Sequence, residues 1–227
     1  MEQTADEARA QIVQQMGLEL GEFYAALWQE IAWLHSKWAE YVVLFGTKES
    51  RVSLLNRAAP RFARLVQDAL WEDVVLHIAR LTDPPKSVGK ENLSVQGLAA
   101  LIAHAETKSR VEQHVAVAIE QAGFCRDWRN RHLAHSDLQL ALARGAEPLK
   151  PGSRKDVREI LSTLAEILNA ISSQYSSSTT YFALETGAGG AMSLLHVLDD
   201  GLKADESRRE RLRQGRVEPG DYGPKDI

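Results

Sequence analysis

The chain has 227 residues, 44% of them hydrophobic, and a formal net charge of −4. That size and apolar fraction suit a folded domain with a sizeable core and argue against global disorder. The acid excess removes any whole-protein argument for nucleic acid, no apolar run reaches the roughly 18 residues of a membrane span, and the single Cys125 excludes an internal disulfide.

In chain order, residues 1–17 are polar and lack the basic start and apolar core of a signal peptide. A cytoplasmic location is the expectation. From Leu20 the apolar residues fall at Leu20, Tyr24, Leu27, Ile31, Leu34, Trp38, Tyr41 and Phe45. Steps of four and three predict one helix with one seam, stopped by Gly46. A second helix is predicted from Pro60, which fits a first turn. Its seam is Phe62, Leu65, Val66, Leu70, Val74 and Ile78, and it ends before "TDPP". "KSVGKENLS" reads as a loop, with Ser94 as N-cap of "VQGLAALIAHA".

A third long segment runs from about Ser109 to His135 on the seam Val111, Val115, Ala118, Ala122 and Cys125. A fourth follows "PGS" and carries Val157, Ile160, Leu161, Leu164, Ile167, Leu168 and Ile171. The Ser/Thr cluster at Ser176–Thr180 ends it, and a shorter helix is predicted over Ala191–Leu212. No strand-like alternation persists. The fold class is all-α, a bundle of about five to seven helices. Its boundaries are a polar segment at 1–17, one helical domain at 18–213 and a mobile tail at 214–227.

The chemistry concentrates in Asp127–Asp137, "DWRNRHLAHSD". Continuing the third seam past Cys125 by four and three reaches Arg129 and His132, so an apolar stripe turns cationic. Arg126–His135 holds three arginines, two histidines and one acid. Arginine near a helix C-terminus complements the macrodipole, which is the structural reading. The cluster also has the chemistry of an RNA phosphate site. Histidine exchanges protons near neutral pH, and arginine presents a rigid fork to phosphate oxygens. A base that removes the 2′-hydroxyl proton and a guanidinium that steadies charge on phosphorus together cleave RNA.

"RNRHLAH" resembles the Arg-Asn-x4-His signature of HEPN domains, with Arg129, Asn130 and His135 on the three motif positions. The order of "LFGTKESRVSLLNRAAPRF", "DVVLHIARLTDP", "ENLSVQGL" and "RNRHLAHSDL" resembles the AbiU-type branch, linked to phage abortive infection. The resemblance covers about residues 20–200. It implies a HEPN-like helical fold, a homodimer and a metal-independent endoribonuclease acting as a toxin or defence effector. The alternative is a catalytically silent module that binds nucleotide, RNA or a protein partner. The resemblance also implies catalytic roles for Arg129, Asn130 and His135 and partners such as RNA, a cognate antitoxin or a nucleotidyltransferase. His132, Arg131 and Asp137 are assisting candidates. No metal and no cofactor are expected, since no Cys/His spacing resembles a zinc site.

Geometry constrains the motif. On an ideal helix Arg129 and His135 stand about 9 Å apart along the axis and about 120° around it. Either the helix distorts near its end, or residues of two chains converge. A polar-cleft Arg129 would change stability by at most about 1 kcal/mol when removed; a paired, buried one would cost about 3–5 kcal/mol. Asp137 is expected to end the helix through a backbone bond, and Trp128 to be core. "RLTDPP", with Arg80 and Asp83, reads as a helix C-terminus and turn, and the resemblance implies that this loop lies near the site. "SRRERLRQGR" reads as a solvated face, "GAGG" at 187–190 as a linker, and Cys125 as an inert core thiol.

Overall fold

The computed structural model describes residues 4–87, 89–134, 137–182, 189–219 and 221. Residues 1–3, Val88, His135, Ser136, 183–188, Gly220 and 222–227 lie outside the described residues; they include the first two residues of "GAGG" and the end of the tail. The helices are α1 (Ala5–Met16), α2 (Leu18–Phe45), α3 (Glu49–Ala58), α4 (Pro60–Leu81), α5 (Ala105–Gln121), α6 (Gly123–Trp128), α7 (Leu138–Ala141), α8 (Arg154–Tyr175) and α9 (Ala191–Arg213). One antiparallel ribbon pairs β1 (Lys86–Ser87) with β2 (Lys90–Glu91). The fold is all-α, as the periodicity predicts.

The chain divides into two compact units. The first comprises Met1–Ala39 and Ala69–Leu184. Its core is the α2 seam from Leu20 to Leu34, the last turns of α4 with Val74, Val75 and Ile78, and the packed faces of α5 and α8. Every α8 seam residue from Val157 to Ile171 is buried. A capping box starts that helix: the Ser153 hydroxyl accepts from the Asp156 amide at 3.2 Å, and the Asp156 carboxylate accepts from the Ser153 amide at 2.7 Å. The α5 seam is buried through Cys125. Burial pushes the Cys125 thiol up to about 12, which leaves it unreactive at neutral pH.

The second unit comprises Glu40–Asp68 and Glu185–Ile227 and packs α3 on α9, with Leu55, Ala191 and Leu195 buried. Here the predicted α4 seam departs from the structure. Phe62 and Leu65 are exposed, and Ala63 takes the inward position of that turn. Leu44 likewise is buried where the α2 seam named Phe45.

Two helices escape the apolar pattern. α1 buries only Met16 and starts from a Thr4/Glu7 capping box, so its face carries almost no periodic signal. It approaches α2 at Gly21, where a Cβ would stand 2.6 Å from the Val13 backbone. α3 is short and largely polar, and buries Leu55 alone. The arginine-rich part of α9 is laced by acids, with Arg208 and Arg209 on Asp205 and Arg211 on Asp221 and Glu218. That supports the solvated-face reading.

Candidate active site

The predicted third helix is not one straight rod. α5 ends at Gln121, α6 resumes at Gly123, and the chain then widens into a π turn over Arg129–Leu133. The Ala134 amide donates to the Arg129 carbonyl at 2.8 Å, one residue further than an α-helical bond. The distortion falls on the motif itself. Wide turns of this kind gather at functional sites, because they re-aim side chains that a regular helix would send elsewhere.

Arg129 projects from this turn onto the loop that follows α4. Its Nη1 donates to both carboxylate oxygens of Asp83, and its Nε donates to Asn130 Oδ1 at 3.0 Å. The Arg129 and Asp83 side chains are 23% and 21% exposed. Asn130 is exposed, and its carbonyl oxygen is turned towards Arg129.

The loop that presents Asp83 is held from a third segment. Ser94 Oγ donates to the Asp83 carbonyl at 2.5 Å, Gln96 Nε2 to the Thr82 carbonyl at 2.8 Å, and Asn92 Nδ2 to the Pro84 carbonyl at 2.8 Å. Three stretches named in the sequence, "RLTDPP", "ENLSVQ" and "RN", therefore meet around one ion pair. Ser94 does act as an N-cap, on a short 3-10 turn at Val95–Gly97 rather than on an α-helix.

The other cations are also matched. Arg126 points back to the Ile119 carbonyl and reaches Thr82 Oγ1 at 3.5 Å. Arg131 lies between Asp127 at 3.5 Å and Asp137 at 3.6 Å and donates to the Glu147 and Pro148 carbonyls. Asp83 and Asp137 thus offset the local excess of cation that Arg126–His135 shows in the sequence. Asp137 caps α7, accepting from the Gln139 and Leu140 amides at 2.9 and 3.1 Å. The Leu140 amide, followed by the Gln139 amide and Arg131, holds its carboxyl below the usual carboxylate range.

His132 is exposed, with Nε2 3.7 Å from Glu72 Oε1. Its ring stands nearly perpendicular to that of Trp128 at 6.0 Å, Trp128 meets Trp71 at 6.2 Å, and Trp71 meets Trp38 at 6.3 Å. Trp128 is half-buried rather than core, and its indole N–H donates to the Lys150 carbonyl at 2.8 Å. A cavity of about 480 Å³ opens beside the motif between Arg131, His132, Asp137, Leu140 and Pro148. The third motif residue, His135, lies outside the described residues.

Glu72 is a contribution that no motif pointed to, and Asp83 lies in the turn expected near the site but its pairing with Arg129 was not foreseen. Asp83 is 46 positions from Arg129, so no local spacing joins them. The usable signal was an acid in a proline-stopped turn, in a chain with arginines at another helix end.

The AbiU2 family model of HEPN domains matches residues 17–189. The chain belongs to the AbiU2 family. The match takes in the TDPP loop, the Asn92–Gln96 segment and the Arg-Asn turn. No curated protein and no solved structure matches the chain. Among the described residues no helix is long and apolar enough to cross a membrane.

Proposed function

We propose that the chain is a metal-independent endoribonuclease of the HEPN type, serving as a toxin or phage-defence effector in the cytoplasm. The observation that carries this reading is the widened helical turn that bears Arg129, Asn130 and His132, with Arg129 clamped by Asp83 and His132 lining the cavity beside it. AbiU2 membership supports the same class of module.

In this reaction His135 takes the proton of the 2′-hydroxyl, with His132 assisting. The freed oxygen bonds to phosphorus, the bond from phosphorus to the 5′-oxygen breaks, and that oxygen leaves with a proton from water, to which His135 returns the one it took. A 2′,3′-cyclic phosphate and a 5′-hydroxyl result. Arg129 donates to the phosphoryl oxygens as charge builds, and Asn130 orients the base or the substrate. Trp128 packs against the exposed imidazole of His132. Wild-type protein incubated with mixed RNA in excess EDTA should release cyclic-phosphate ends, and His135→Ala should not. Cleavage that depends on added divalent metal refutes this mechanism.

The pairing of Arg129 with Asp83 favours a second reading, a catalytically silent module that binds nucleotide, RNA or a protein partner such as an antitoxin or nucleotidyltransferase. RNA left intact by the wild type selects it. In either reading we propose a homodimer with the motifs near the twofold axis. Light scattering should give twice the chain mass at micromolar concentration; a monomer with full activity refutes the dimer.

A further inference from the structure

The second unit holds a groove that the ribonuclease reading does not use. It lies between α3 and α9 and encloses about 530 Å³, within the range of small-ligand sites. Lys48, Arg51, Arg57 and His196 line it, against the single acid Asp199. Its floor is apolar, formed by Leu54 and the buried Leu195. Such a gathering of cations in a chain of net charge −4 requires a physical account.

Acids hold the cations of the groove only in part. Asp199 is already paired with Lys203. Among the described residues Lys48 and His196 have neither an ion-pair partner nor a hydrogen bond from their side chains, and both are exposed. Arg57 meets Glu206 at 2.6 Å, but these side chains are 54% and 66% exposed, and a pair so wet is weak and exchangeable. Arg51 differs again. Its Nη1 donates to the Val43 carbonyl at 3.0 Å and to Thr47 Oγ1 at 2.8 Å, which fixes the guanidinium at the lip and leaves Nε and Nη2 unspent among the described residues. A fork held in place loses little freedom when it binds an anion.

We propose that this groove binds the phosphate of a nucleotide, with the base laid on Leu54 and Leu195. The ligand needs an anionic group for Lys48, Arg51 and His196 and a flat apolar body for the floor, and a nucleotide offers both. The nucleotide is either free or one unit of a single-stranded RNA, since both present the same phosphate and base. The site is independent of Arg129 and of whether the protein cleaves RNA.

The test uses the full chain at low salt, with fluorescent AMP as one probe and a 2′-O-methyl oligoribonucleotide, which cannot be cut through its 2′-oxygen, as the other. Wild type should bind at least one probe saturably. Binding of AMP alone identifies a free-nucleotide site, and binding of the oligonucleotide identifies a strand site. Lys48→Glu/His196→Glu changes only exposed side chains, so its melting curve should match wild type. It should raise Kd about tenfold or more, because the Lys48 charge is reversed and a second negative charge replaces the His196 imidazole at the rim. Arg129→Ala should still bind AMP in the first case, and in the second should retain a salt-dependent affinity that the groove variant lacks. Absence of saturable binding of both probes overturns the proposal, as does an unchanged Kd in Lys48→Glu/His196→Glu.

Discussion

Removing Arg129 or Asp83 should destabilise the protein singly far more than the two removals together would suggest. A fully buried ion pair broken on one side costs about 3–5 kcal/mol, because the remaining charge is left unpaired. A fully exposed pair is worth about 0–1 kcal/mol. With side chains 23% and 21% exposed, the Arg129–Asp83 pair stands nearer the first limit, and about 2–3 kcal/mol is expected for Arg129→Ala or Asp83→Ala. This replaces the figure of about 1 kcal/mol that a polar-cleft arginine implies. If the losses were independent, the double variant would cost about 4–6 kcal/mol. It leaves neither charge orphaned, so about 2–3 kcal/mol is expected instead, a coupling of about 2 kcal/mol. Urea melts of the four proteins measure the cycle, and each single variant should melt about 4–12 °C below wild type. RNA cleavage by Arg129→Ala, assayed where it is fully folded, should fall about 100-fold or more. A double variant whose cost equals the sum of the singles to within about 0.5 kcal/mol refutes the pairing argument.

Two further outcomes follow from buried groups. His35 stacks on Phe182 at 5.1 Å, and burial lowers its pKa to about 4. A depressed histidine favours the unfolded state once that state protonates, so stability should be complete above about pH 6.5 and fall by about 2–3 kcal/mol on the way down to pH 4. His35→Phe should flatten that acid slope; an unchanged slope assigns it to other groups. Cys125 should resist alkylation at pH 8 in the native protein and react at once in denaturant, as mass spectrometry would show; rapid native labelling contradicts its burial.

Elements whose burial is decided locally could be read from the residue pattern. The seams of α2, α5 and α8 repeat every three to four residues, because one face of each helix must leave water, and that rule needs only neighbouring positions. Leu20–Leu34, Val111–Cys125 and Val157–Ile171 were legible for this reason. The Arg-Asn-x4-His spacing was legible as a resemblance. What the cations meet depends on the fold. Asp83 answers Arg129 across 46 positions, and Asn92, Ser94 and Gln96 set the loop that carries it. Periodicity records which residues avoid water but not which charge faces which, because pairing is set by where separate elements cross. The same limit explains Phe62 and Leu65. They continue the α4 pattern, yet among the described residues both stay exposed, and Ala63 faces inward instead. The π turn escaped the sequence for a related reason. The residues in and beside it make their contacts outside the turn, Arg129 with Asp83, Arg131 with Asp127 and Asp137, and Trp128 with the Lys150 carbonyl, and helical periodicity carries no record of these.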